Sequence, residues 1–251
     1  MDVLQPLQPS AFLTAEWRNL GLVTYYVDPL MLRPLLPPGC ELDMRDERAF
    51  VSFVMFDFLQ TRVKGVRWPG YVNFPEINLR FYVRHAGQRG VCFVRELVPK
   101  RLIAWLARTI YNEPYRAAAM RSEISHSDGA IQARHRFFFA GRWHEATIRG
   151  RVPAVRPPAD SVEHFFKEHE WGFGQSRSGA LRRYRVVHPE WDVYPEAHAT
   201  LDVDFGAVYG QPWAILNHRD PYSVVYAVGS EVAVYPHADL AAAQAIGPLK
   251  K

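Results

Sequence analysis

The sequence predicts a mostly β, α+β fold organised as a single domain over residues 1–251. Three observations carry that reading. The stretch 74–83 alternates strictly, with Ile77, Leu79, Phe81 and Val83 on one side of a strand and Glu76, Asn78, Arg80 and Tyr82 on the other. Other β-branched and aromatic runs recur between turns rich in Gly, Pro and Asn, whereas helical spacing is confined to short segments. No repeat, low-complexity tract or linker divides the chain, and 48% hydrophobic residues with 14% aromatics suffice for a sizeable core.

Taken in order, residues 1–14 read as a loosely held arm, and Leu22 to Val27 form a β-branched and aromatic strand. Asp28-Pro29 supplies an N-cap and a Pro at the first helical position, and Pro37-Pro38-Gly39 stops the short helix. Residues 49–58 are apolar on both faces, which predicts a buried strand. A loop over 60–73, with Gly65, Pro69 and Gly70, delivers the chain to 74–83.

A hairpin connection over 85–90 leads to a strand over 91–98, with Arg95 and Glu96 at its end. Pro99 opens a helix through Arg108, and Leu102, Ile103, Leu106 and Ile110 share a face expected to be buried. Asn112 to Arg116 breaks that helix and starts a strand region over 117–125. Residues 129–152 read as strand, turn at Gly141, strand. Asp160-Ser161 caps a helix over 162–169, which Trp171-Gly172-Phe173-Gly174 ends. Strands at 182–187 and near 197–205, and a hairpin around 224–235, complete the chain.

Several chemistries are set aside by spacing. Cys40 and Cys92 make neither a disulfide framework nor a zinc knuckle, and Glu168-His169 lacks the second His of a zinc-protease helix. Gly174 to Gly179 has the wrong spacing for a serine nucleophile elbow, and no phosphate-binding glycine pattern follows a strand. No metal and no cofactor is therefore expected. The net charge of +4 is carried mostly by Arg dispersed among acids, which argues against a nucleic-acid footprint. The absence of a leader pattern or long apolar run predicts a cytoplasmic protein without membrane contact. Homo-oligomerisation is left open. Among the histidines, His188 has the most suggestive context, between a basic strand and Pro189-Glu190-Trp191.

The polar face of 74–83 carries an acid, an amide, a guanidinium and a phenol in order. Such a face suits either a half-exposed strand with a cross-strand ion pair or the wall of a cavity inside a barrel.

The run Phe-Pro-Glu-Ile-Asn-Leu-Arg-Phe-Tyr-Val at 74–83 has companions in Val27-Asp28-Pro29 through Gly39 and in Tyr111-Asn112-Glu113-Pro114-Tyr115-Arg116. His188-Pro189-Glu190-Trp191 adds a weaker match. Through these stretches the chain resembles the bacterial YqjF-like family (domain of unknown function 2071), placed in the acetoacetate decarboxylase-like superfamily. The resemblance implies a cone-shaped β-barrel with a few short flanking helices and a central cavity. It matches Glu76 to the superfamily's active-site acid and places Arg80 and Arg116 nearby by analogy. Asn78, Tyr82, Tyr115, Arg95 and His188 then become candidates for holding substrate.

One departure from the superfamily pattern matters. Acetoacetate decarboxylases form a Schiff base through a lysine just after a helix and a Pro, where this chain has Pro114-Tyr115-Arg116. Arginine does not deprotonate and cannot serve as that amine. Lys64, Lys100, Lys167, Lys250 and Lys251 occupy loop, helix-start, amphipathic-helix and tail contexts. Two function classes remain. One is an enzyme using Glu76 as acid or base on a small oxo-acid, with lyase or proton-transfer chemistry and no Schiff base. The other is a non-catalytic domain that binds a small anionic or polar ligand.

Overall fold

The computed structural model describes residues 10–110 and 112–240. Tyr111 of the family-like run, Lys250 and Lys251, and most of the predicted N-terminal arm therefore lie outside the described residues. Strands dominate. They are β1 (Leu13–Val27), β2 (Glu41–Leu42), β3 (Ala49–Val63), β4 (Phe74–His85), β5 (Gln88–Val98), β6 (Tyr115–Ala117) and β7 (Ala119–Ser127). These are followed by β8 (Ala130–Phe139), β9 (Arg142–Arg151), β10 (Trp171–Gln175), β11 (Leu181–Val187), β12 (His198–Asp202), β13 (Ser223–Val234) and β14 (Ala238–Leu240). The α-helices are short: α1 (Pro29–Leu32), α2 (Arg101–Ile110), α3 (Val162–Lys167) and α4 (Phe205–Tyr209). None is long and apolar enough to cross a membrane.

Local signals account for several of these elements. The Asp28 carboxylate accepts from Leu30 N at 2.9 Å with Pro29 at the first turn, and Ser161 Oγ accepts from His164 N at 3.1 Å to start α3. The β4–β5 hairpin turns on Ala86 and Gly87, both at positive φ, as a tight two-residue connection requires. Three expectations are corrected. The Trp171-Gly172-Phe173-Gly174 run is strand β10, because it pairs with β11 on one side and β5 on the other. Residues 223–234 are one strand rather than a hairpin, held by pairing with β1 from Leu13↔Val234 to Thr24↔Ser223. Helix α2 buries Ala104 but leaves Leu102 and Leu106 exposed, and the Ile110 side chain lies outside the described residues.

The main sheet follows the order β2-β4-β3-β1-β13-β11-β10-β5-β6, with β14 on β11. Strand β4 pairs with β5 as well as β3, so the path of hydrogen-bonded strands returns to β4. The β5–β10 junction depends on Gly90, where a Cβ would sit 2.4 Å from the Trp171 carbonyl oxygen. A second, antiparallel sheet has the order β12-β9-β8-β7.

Two apolar layers result. On the outer face of the main sheet, Phe53 and Met55 of β3 and Leu79 and Phe81 of β4 pack with Phe137 and Ile148 of the second sheet. On the inner face, Phe56, Phe58, Phe74, Val91 and Phe166 join a separate core. β4 is thus buried on both faces, and its alternation sorts apolar residues to the sheet–sheet interface and polar ones to the interior.

Candidate active site

A cavity of about 360 Å³ opens on the inner face of the main sheet. β4 contributes Phe74, Glu76, Asn78 and Arg80 in register along one wall, and across the pairing Phe56 faces Glu76 while Val54 faces Asn78. β5 contributes Glu96 and Phe93. A register shift between Leu79 and Arg80 puts Glu96 opposite Asn78 and Phe93 opposite Arg80. That bulge inserts one residue, so Glu96 turns inward and Arg95 outward. β6 runs parallel to β5 with Tyr115 beside Glu96, which brings the phenol into the same cavity. Tyr184 of β11 and Glu113 add to the polar lining. Tyr184 reaches it across Gly172, where a Cβ would lie 2.2 Å from its ring.

Burial sets the electrostatics of this group. Asn78 Nδ2 donates to Glu76 Oε1 at 3.2 Å and the Tyr115 hydroxyl donates to Glu76 Oε2 at 3.1 Å. Loss of water pushes the Glu76 carboxyl up from 4.5 to about 7, and those two donors, with a hydrogen bond from Glu96, hold it from going higher. Glu96 is driven well above the carboxylate range by burial and then by the neighbouring Glu76 and Glu113 charges. Burial raises Glu113 to about 8, against the Tyr184 hydrogen bond and Arg182 that lower it. Burial thus shifts all three carboxyls toward their protonated forms, Glu96 most strongly. Two neighbouring carboxyls whose surroundings raise them unequally can divide the roles of acid and base.

The far end of the wall differs. Arg80 donates to the Phe166 carbonyl oxygen at 3.0 Å, which ties this end of the wall to α3. Arg80 pairs with no carboxylate among the described residues, and its Nε is buried without a partner. His169 lies beside it with both ring nitrogens buried and unpartnered, and burial together with Arg80 and Arg89 pushes its pKa well below 6.5. A neutral imidazole and an unpaired guanidinium form a cationic pocket suited to an anionic group.

The structure brings Glu76, Asn78, Arg80 and Tyr115 together but leaves four other candidates off the cavity wall. Arg116 follows Tyr115 on β6, so alternation sends it to the opposite side, where it is exposed. Arg95 faces outward and donates to the Val208 carbonyl oxygen. Tyr82 shares the inner face but lies beneath α3, packed on Phe166 at 5.2 Å between ring centroids, with its hydroxyl bonded to Ser52. His188 stacks on Trp191 at 4.0 Å, near Glu168. Sequence reading passed over Glu113, Tyr184 and His169, and it took Arg95 rather than its neighbour Glu96. A Glu between Asn112 and Pro114, where no solvated face is needed, was the one available signal for Glu113.

No lysine lines the cavity among the described residues. Lys167 is fully buried rather than on a solvated helix face, with Nζ bonded to Glu168 outside the cavity. Among the described residues, no group of His, Cys, Asp or Glu is arranged to hold a metal ion.

Residues 14–231 match the family model of DUF2071, described as an uncharacterized conserved protein. The chain belongs to that family. It is 35% identical over 108 residues to the uncharacterized protein YqjF of Bacillus subtilis, a stretch covering 43% of this chain and 45% of that relative. The match thus spans under half the length of that curated relative. Among solved structures, the acetoacetate decarboxylase of Legionella pneumophila superposes with a TM-score of 0.63 at 15% identity, covering 95% of this chain and 93% of that one. The enduracididine biosynthesis enzyme MppR, solved in complex with pyruvate, superposes with a TM-score of 0.65 at 15% identity, covering 96% and 94%. At such identities the likeness establishes the DUF2071 chain's fold as acetoacetate decarboxylase-like, and nothing further.

Proposed function

We propose that this protein is an acid–base enzyme acting on a carbonyl-bearing acid, with Glu76 moving the proton and no Schiff base formed. The observation that carries this is that two buried carboxyls, Glu76 on β4 and Glu96 on the adjacent β5, line one cavity, where burial raises the pKa of both. The closed path of strand pairing supports a cone-like barrel that encloses the site.

In the reading we favour, the substrate carboxylate rests against Arg80 and its carbonyl lies near Glu96. The Glu76 carboxylate takes a proton from the carbon next to the carbonyl. The C–H pair becomes the new carbon–carbon π bond, and the carbonyl π pair moves to oxygen, which takes the Glu96 proton. Reversal restores both groups. Asn78 and Tyr115 hold the Glu76 oxygens in place throughout. MppR, which shares the fold, has been solved in complex with pyruvate, a carbonyl-bearing acid. A binding-only role is favoured by one observation, that Asn78 and Tyr115 already satisfy Glu76.

Solvent deuterium exchange separates the two. Incubating the protein with 2-oxo acids in D₂O and following the hydrogens next to the carbonyl by proton NMR should show catalysed exchange that Glu76→Gln abolishes. Binding without exchange in the wild type would sink the enzyme reading.

A further inference from the structure

The groups along β4 are arranged as a sequence of zones, and the zones describe the shape of the ligand. Arg80 and His169 close one end under α3. Glu76 and Asn78 occupy the middle. Beyond them Phe74 stacks on Phe58 at 4.8 Å, and Phe58 meets Trp17 edge-on at 5.7 Å. The loop before β4 adds Trp68 and Tyr71 there, and α2 adds Leu102 and Leu106. From Arg80 to Phe74 is about 20 Å along the strand. The cavity volume of about 360 Å³ holds about a dozen non-hydrogen atoms. A three-carbon oxo-acid would fill about half of that space and leave the aromatic zone empty.

The rim makes the same point. Trp68 is 57% exposed, Leu102 46% and Leu106 39%, and all three line the cavity. A mouth built of exposed apolar side chains is unfavourable in water unless something apolar passes through it or rests in it. A small polar acid would need neither the stacked aromatic rings nor this rim.

We infer that the ligand is an elongated, amphipathic carboxylic acid: an anionic head held at Arg80, a carbonyl beside it near Glu76 and Glu96, and an aliphatic or aryl tail of several carbons lying against Phe74 and Phe58 and reaching the rim. The inference rests on the acid–base reading for the position of the carbonyl, but the head and tail assignments stand on Arg80 and the aromatic zone alone.

The test uses two series, straight-chain carboxylates for binding and the matching 2-oxo acids for exchange, from two or three carbons up to twelve, measured by calorimetry and by NMR. Affinity should rise about fourfold per added methylene until the cavity is full and then level off. Trp68→Asp and Leu102→Asp, both at exposed positions, should weaken the longest acids at least tenfold more than they weaken acetate and pyruvate. Arg80→Met should weaken every member by a similar factor. A flat series, or rim variants that bind long and short acids alike, would overturn the inference. Exchange on pyruvate with a flat series would keep the acid–base reading and remove this one. A rising series with no exchange would keep this inference and remove the acid–base reading.

Discussion

Glu76→Gln separates a functional carboxyl from a structural one. Glu76 is 3% exposed and forms no ion pair among the described residues. Burial lifts its carboxyl from 4.5, its value in the unfolded chain, to about 7 in the fold. The folded state therefore binds this proton more tightly than the unfolded one. Its contribution to stability is fully present below about 4.5 and is lost as the pH rises through about 7. The loss above that window amounts to about 3 kcal/mol, taking 1.36 kcal/mol per pKa unit. Glutamine carries no charge at any pH. It keeps the contact with Asn78 and turns an amide toward the Tyr115 hydroxyl, an exchange worth about 1 kcal/mol. At pH 5 the variant should lie within about 1 kcal/mol of wild type, and at pH 9 it should be more stable by about 2 kcal/mol. Urea denaturation of both proteins at the two pH values measures this directly. A variant weaker by about 3–5 kcal/mol at pH 9 would mean that the charged carboxylate is a structural partner, and would refute the reasoning. So would a difference that does not change with pH.

Other perturbations probe the rest of the site. Borohydride added to the protein with acetoacetate or pyruvate should give no covalent adduct by mass spectrometry; an adduct on Lys167 or any other lysine would restore Schiff-base chemistry. Gly172→Ala puts a methyl 2.2 Å from the Tyr184 ring, so it should displace that phenol, lower stability by about 1–3 kcal/mol in thermal melts and impair turnover. Arg116→Ala should leave exchange rates unchanged, because Arg116 lies on the opposite side of β6 from Tyr115; a large loss would return it to the site. Tyr82→Phe removes only the hydroxyl bonded to Ser52 and should lower the unfolding free energy by about 1 kcal/mol without altering exchange.

By itself the sequence determined which residues of β4 share a face, because strict alternation at 74–83 puts Glu76, Asn78, Arg80 and Tyr82 on one side and Ile77, Leu79, Phe81 and Val83 on the other. It also determined the starts of α1 and α3, where Asp28 and Ser161 cap with their own side chains, and the arginine of Pro114-Tyr115-Arg116. These are local properties, written in spacing and residue type. The remainder of the site depended on pairings between distant strands. Alternation from Val91 and Phe93 points to Arg95 as the next inward residue, and only the bulge in the β4–β5 pairing hands that place to Glu96. Tyr115 rather than Arg116 enters because β6 aligns in parallel with β5 at Glu96. Tyr184 enters because Gly172 on the next strand leaves its ring room. Tyr82 has the inward phase of its neighbours yet misses the cavity, since α3 folds over it from a later part of the chain. A strand's own sequence sets the phase of its side chains, but which phase meets empty space is decided by the strands and helices that pack beside it.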